Sequence, residues 1–348
     1  LFQAAQELAP CVVTTTTHLG AWQASEADQH IIVQNGEMLN QLSSLSQSGV
    51  ILVTGDKKGE RLTSLSEEKL HKLKRFCDDQ ALPLLIEADG ARKKPIKAPK
   101  AHEPVIPHFV DNVIVVAGLS GLGKTLNTKN VYNPHGFAKL GESEEGTQIS
   151  TAQLANVLTH PQGGLKGIPA HARRIALLNQ ADTLNLRAQG GKIAASLLFQ
   201  FDSVILSSFH ENYLSRHERT AGIILAAGGS SRYGKSKQLL DYQGDSFVRH
   251  IAKTALQASL DPVIVLTGAE HEKVAQALTD LPVEIARNLD WREGQSTSVK
   301  RGITALEKHD RKRGGAIFLL ADQPQVTTTV LRALAEEHAR TMKPVIAP

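Results

Sequence analysis

Cysteine is scarce. Only Cys11 and Cys77 occur in 348 residues, and their spacing outlines neither a metal site nor a disulfide framework. Two isolated thiols read as small buried apolar groups in a reducing cytoplasm. Long apolar runs are also missing: none approaches the ~20 residues of a bilayer span, and the first residues lack the charged-then-apolar order of a secretory leader. The sequence therefore reads as soluble and cytoplasmic, without a membrane partner. No block of lysine or arginine suggests a nucleic-acid arm, and 39 basic against 35 acidic residues give a formal charge of only +4, which suits small anionic substrates. Internal repeats and low-complexity tracts are absent. So is G-x-G-x-x-G, which removes a dinucleotide-binding loop of that type.

What is present is an alternation of short apolar runs with helix-period segments. With 41% hydrophobic residues there is material for two cores, and the length exceeds one ordinary domain. The expected fold is α/β, with two three-layer nucleotide-binding domains, P-loop-like over residues 1–215 and Rossmann-like over 221–348, joined by a polar linker at 211–221. The chain opens on an amphipathic helical stretch (Leu1, Phe2, Ala5, Leu8) rather than methionine and stops in a strand-like run, so it reads as a fragment truncated at both ends.

In the first half, residues 11–18 (CVVTTTTH) form a β-branched strand ending in hydroxyls, which suit phosphates and Mg2+ at a sheet's carboxyl edge. Residues 49–55 read as a strand and 66–80 as a helix. The run 82–90 (LPLLIEADG) is a strand delivering Glu87 and Asp89 into a glycine turn, with Asp89 a candidate metal ligand because a hard cation takes oxygen donors. An Asp-Gly turn is the simpler alternative. A basic, proline-containing ordered loop follows (91–107). After a strand at 113–118, GLSGLGKT (118–125) matches the pattern G-x-x-x-x-G-K-[ST]. The next residues, LNTKNVYNP, have no apolar period and run into proline, so no helix N-terminus is expected to hold phosphates there. The phosphate loop is instead expected ahead of Leu1. Residues 175–182 (IALLNQAD) form a strand ending in N-Q-x-D, close to the guanine-gripping N-K-x-D. There Asp182 can accept two hydrogen bonds from a base while Asn179 fixes the loop. The strand 203–208 also ends in hydroxyls.

Segments 13–18, 87–91 (EADGA), 102–107 (HEPVIP), 160–167 (HPQGGLKG) and 178–182 (LNQAD) together resemble the YqeC family, accessory proteins of selenium-dependent molybdenum hydroxylases. The resemblance implies a P-loop-type domain using GTP or ATP, whose glycine-lysine loop is not in this chain.

The second half opens on IILAAGGSSRYGKSK (223–237), a strand breaking into glycines and then presenting an arginine and a lysine. Ala226, Ala227, Gly228, Gly229 and Ser230 are expected to wrap a nucleotide with backbone amides. Arg232 is expected to fork onto β- and γ-phosphate oxygens, and Lys237 to sit at the α-phosphate. Helix periods at 246–258, 271–278 and 299–306 alternate with strands at 262–268, 283–286 and 315–324. The last strand carries Asp322 to its carboxyl end, where it would bind Mg2+. Ser296 and Ser298, at a helix start, read equally as ligand contacts or as caps. LAAGGSSRYG with Lys237, residues 294–302 and LADQP (320–324) resemble MocA-type molybdenum cofactor cytidylyltransferases; Ala227 matches that branch, where related guanylyltransferases have glycine.

The function expected is Mg-dependent transfer of CMP from CTP to a molybdopterin-type cofactor, with a molybdenum hydroxylase apoenzyme as the downstream partner. The alternatives are a GTPase-like assembly or delivery factor and a nucleotidyltransferase acting on a sugar 1-phosphate.

Overall fold

The computed structural model describes residues 1–33, 48–229, 236–309 and 314–347. The chain divides into two compact units. One comprises residues 1–111 with 121–172, the other 112–120 with 173–348.

The first unit is built on four parallel strands, β1 (Cys11–Thr15), β2 (Gln29–Ile32), β3 (Val50–Thr54) and β4 (Leu84–Glu87), in the order β2-β3-β1-β4. β1 and β3 are buried along their whole length, which is why they read as unbroken apolar and β-branched runs. Cys11, Val13, Val50 and Leu52 face Phe2 and Ala5 of α1 (Phe2–Glu7). Val12, Ile51 and Val53 face Leu70, Leu73 and Cys77 of α2 (Glu67–Asp79). Ser66 caps α2 by accepting from the Lys69 amide, and Glu67 and Glu68 occupy the first turn, where the helix dipole favours anions. Two further helices, α3 (Pro134–Leu140) and α4 (Thr151–Thr159), complete the unit. The chain order reverses across β1, the position in an open α/β sheet at which ligands bind outside the carboxyl ends of the strands.

The second unit holds two sheets. In one, β5 (Asn112–Gly118), β6 (Arg173–Asn179) and β7 (Ser203–Ser208) run parallel and β8 (Tyr213–Glu218) returns antiparallel, in the order β8-β7-β6-β5. Between β6 and β7 the chain forms α5 (Leu184–Leu197). In the other sheet, β9 (Thr220–Ala226), β10 (Val263–Thr267), β11 (Glu284–Arg287) and β12 (Gly315–Leu320) are all parallel, in the order β11-β10-β9-β12. Its helices are α6 (Phe247–Gln257), α7 (His271–Gln276), α8 (Gln295–Leu306) and α9 (Thr328–Thr341). One face of the sheet packs on α6, α7 and α9 through Val248, Ile251, Val274 and Leu331. The opposite face, Ile223, Ile264 and Leu266, packs on Ala305 of α8. That is the three-layer, doubly wound arrangement expected from the alternating pattern.

Residues 211–221, expected as a linker, contain β8 and the start of β9, with only Arg219 between them. Polar character misled because β8 alternates, Leu214 and Arg216 being exposed while Ser215 is buried. The formal match at 118–125 lacks the helix a phosphate loop requires. The Gly123 and Leu126 amides instead donate to the carbonyls of Ile149 and Thr147 (both 2.8 Å), and the next α-helix, α3, starts only at Pro134.

Candidate active site

β9 is buried because both its neighbours are strands and both its faces meet helices, and it ends at Ala226-Ala227-Gly228-Gly229. The side chain of Gln238, itself buried, fixes this turn. Its Nε2 donates to the carbonyls of Gly228 (2.8 Å) and Ala226 (3.3 Å). In a trans peptide the following amide points opposite its carbonyl, so these bonds turn the Gly229 N–H away from Gln238. Gly229 packs closely under Trp291: a Cβ there would lie 3.0 Å from the ring, so the ring would have to yield by a few tenths of an ångström.

The opposing wall comes from the start of α8. Its N-cap is Gly294 at φ +119°, a conformation that favours glycine, and no side chain caps the helix. The capping role for Ser296 and Ser298 is thereby replaced. Ser298 is buried and accepts a hydrogen bond from the Asn288 amide (2.9 Å), which also donates to Thr297 Oγ1 (2.9 Å). Ser296 is exposed and lies outside the cavity lining. From the third side, β12 delivers Leu320, Ala321 and an exposed Asp322.

These elements enclose a cavity of about 330 Å³ lined by Ala226, Ala227, Gly228, Lys237, Ser298 and Asp322 among others, a size within the usual small-molecule range. It opens where the strand order reverses between β9 and β12, the position at which open α/β sheets bind ligands. A lysine, a carboxylate and the amino end of a helix around one cavity suit an anionic ligand with a hard cation. Ser230 and Arg232 lie outside the described residues. Asn288 and Trp291 stood out in the sequence as leading into the helix but carried no role there, and Gln238 was missed. Gln238 stood directly beside the singled-out Lys237, but nothing in the sequence reveals that its amide folds back on the turn.

The remaining candidates lie elsewhere. Asn179 ends β6, and Asp182 accepts from Ser208 Oγ at the end of β7 (2.6 Å), so the N-Q-x-D element and the hydroxyl-ending strand do meet. In the first unit, Asp89 pairs with Lys97, whose Nζ also reaches Glu103 Oε2 at 3.3 Å and donates to the Gly90 carbonyl at 3.0 Å. Burial pushes the Asp89 and Glu87 carboxyls above their usual range, and in Asp89 this outweighs the Lys97 charge. Burial also opposes ionisation of Glu103, but bonds from the Lys100 amide, Tyr132 hydroxyl and Lys97 outweigh it and hold that carboxyl low. A cation at Asp89 would have to displace Lys97. Among the described residues no group of three or more His, Cys, Asp or Glu gathers as a metal cage, and no helix is long and apolar enough to cross a membrane.

Residues 1–135 match the family model of the YqeC protein, and residues 222–348 that of the MobA-like NTP transferase domain. The chain joins a YqeC-type segment to a MobA-like NTP transferase domain. The YqeC protein of Escherichia coli (strain K12) is 38% identical over 97 residues, covering 28% of this chain and 38% of that protein. The purine catabolism protein PucB of Bacillus subtilis (strain 168) is 35% identical over 120 residues, covering 32% and 58%. A probable molybdenum cofactor guanylyltransferase of Bacillus cereus (strain AH820) is 38% identical over 63 residues, covering 18% and 31%. The chain thus spans between about a third and three-fifths of these curated relatives. The transferase match includes the β9 turn, Lys237, Ser298 and Asp322, the residues that line the cavity.

Proposed function

We propose that the transferase domain moves CMP from CTP to a molybdopterin-type cofactor, and that the YqeC-type segment is its nucleotide-dependent accessory in maturing a molybdenum hydroxylase. The observation that carries this reading is the cavity that joins the Ala226–Gly228 turn, Lys237, the start of α8 and Asp322. A phosphate oxygen of the acceptor attacks the α-phosphorus, the bond to the β-phosphate oxygen breaks, and pyrophosphate leaves with the electron pair. Because the acceptor brings its own nucleophile, the protein's part is positioning and charge stabilisation. Lys237 offsets the charge gathering on the α-phosphate, and the backbone amides of the turn and of α8 receive phosphate oxygens. Asp322 offers one exposed carboxylate, which fits Mg2+ because that ion takes most of its oxygen ligands from water and phosphates. When bound, Mg2+ would neutralise the leaving pyrophosphate.

Ala227 supports CTP over GTP: its buried methyl lines the cavity and leaves less room for a purine than glycine would. The test is incubation of the full chain with labelled CTP or GTP and either molybdopterin or a sugar 1-phosphate. CMP transfer to molybdopterin, lost in Asp322→Ala, is expected. Transfer to the sugar phosphate alone would overturn the acceptor, preference for GTP would overturn the nucleotide, and cofactor delivery surviving in Asp322→Ala would favour a carrier.

A further inference from the structure

A concentration of positive charge lies in the YqeC-type segment, directly after β4. Three cations surround the ring of Tyr132: Lys97 Nζ at 4.7 Å, Lys100 Nζ at 5.3 Å and the Arg92 guanidinium at 5.5 Å from its centroid. Lys93 lies alongside, 5.7 Å from the Trp22 ring. The carboxylates within the cluster, Asp89 and Glu103, are both turned to Lys97. Among the described residues no carboxylate pairs with Arg92, Lys93 or Lys100, and all three are exposed. Aromatic faces offset part of the mutual repulsion of these cations, but a compact arrangement of this kind remains unfavourable until an anion enters it.

Its position is that of a ligand site. The strand order of β2-β3-β1-β4 reverses at β1, and the loop carrying these cations leaves the carboxyl end of β4. Lys97 draws the loop back by donating to the Gly90 carbonyl, and Thr16, just after β1, ties it down by donating to the Val105 carbonyl at 2.6 Å. Arg92 and Lys93 take φ of +48° and +61°, where side chains are disfavoured, so two long cationic residues stand where glycine or asparagine would be easier.

We infer that the loop of residues 90–100, together with Tyr132, binds the phosphate groups of a small phosphorylated ligand through side-chain cations, without a glycine-rich phosphate loop and without a metal at Asp89. Arg92 and Lys100 grip the phosphate oxygens. Lys97, already neutralised by its two carboxylates, acts as the floor of the site. The inference rests on the proposed nucleotide dependence of this segment only for the choice of probes, and it stands apart from the transferase reading.

The test is isothermal titration of the full chain carrying Lys237→Ala, which weakens the transferase cavity, with inorganic pyrophosphate, GTP and ATP in the presence of EDTA. Metal-independent binding is expected, weakened at least tenfold by R92A/K100A, restored to within a few-fold by R92K/K100R and falling as salt is raised. In an otherwise native chain, R92A/K100A should leave nucleotidyl transfer unchanged, which separates this site from the cavity. Pyrophosphate binding as well as the nucleotides would mark a phosphate site, and binding of one nucleotide alone would add a base contact to it. Equal affinity in the parent and R92A/K100A, binding seen only when Mg2+ is added, or no binding of any probe would overturn the proposal.

Discussion

Gln238 holds the turn after β9 with a single amide nitrogen shared between two carbonyls. Replacing it by leucine removes that donor from both carbonyls, of which that of Ala226 is buried while Gly228 is exposed, and an unsatisfied buried group costs about 1–3 kcal/mol. Gln238→Leu should therefore lower stability by that order in chemical denaturation and reduce transfer. Unchanged stability together with unchanged KM would remove its positioning role. Gly268 is constrained differently: a Cβ there would press on the Ala227 carbonyl oxygen and on Trp291. A backbone atom cannot step aside as a side chain can, so Gly268→Ala should cost roughly 1–3 kcal/mol and distort the same turn, measured by denaturation and nucleotide affinity. Cys77 is a third case. It is 1% exposed, and burial pushes its thiol up to about 12. Neither Cys77 nor the buried Cys11 should react with a thiol reagent at pH 8 in the native protein, whereas both should react after unfolding. Rapid native labelling of either would contradict this packing.

At the scale of elements, α6 is fastened by charge as well as by its apolar face. Arg249 pairs with Asp245 one turn earlier (3.0 Å) and forks onto Asp280 beyond α7 (2.7 Å to one oxygen), and Lys253 adds a second contact to Asp245 (2.7 Å). The Arg249 hydrogen bond holds the Asp280 carboxyl down at about 2, below its value in an unfolded chain. A depressed folded value means the contribution is present above the unfolded carboxylate pKa of about 4 and disappears as pH falls through the folded value. Because the pair is exposed, the effect on stability is small; the titration is the sharper readout. NMR of the Asp280 carboxyl should show a midpoint near 2 that moves up towards the ordinary range in Arg249→Met. Most central elements were legible because burial on both faces writes itself as continuous apolar runs: β3 and β10 lie within one residue of their expected bounds, whereas β1 ends three residues earlier and β9 starts three residues earlier than expected. Less legible were β8, whose exposed positions carry polar groups, and α5, which places two glycines, Gly190 and Gly191, in its middle. Gly190 is there because a Cβ would meet Leu206 and Leu119, a close approach that a helix-period reading counts only as a breaker.

At the scale of the whole chain, the compact units do not follow the family matches. β5, β6, β7 and β8 fall in the same unit as the transferase sheet, and α9, part of the transferase match, packs against β8. A fragment starting at Gly222 would expose the face of α9 that β8 covers. It should melt at a lower temperature than the same residues within the full chain, as followed by thermal denaturation. An equal melting temperature would show that β8 adds nothing to the transferase. This division was not readable from sequence, because sequence signals mark local period and turn chemistry, whereas the pairing of Asn112–Gly118 with Arg173–Asn179 spans a long loop of chain. The candidate site was readable in its charged and glycine positions, and hidden in the amides and the tryptophan that hold them.

Arg219 alone separates β8 from β9, and it is clamped on both sides. Its Nε donates to the Leu198 carbonyl, and its guanidinium pairs with Asp261 at 2.8 Å. A joint of one pinned residue has no slack, so it works as a rivet and not as a tether.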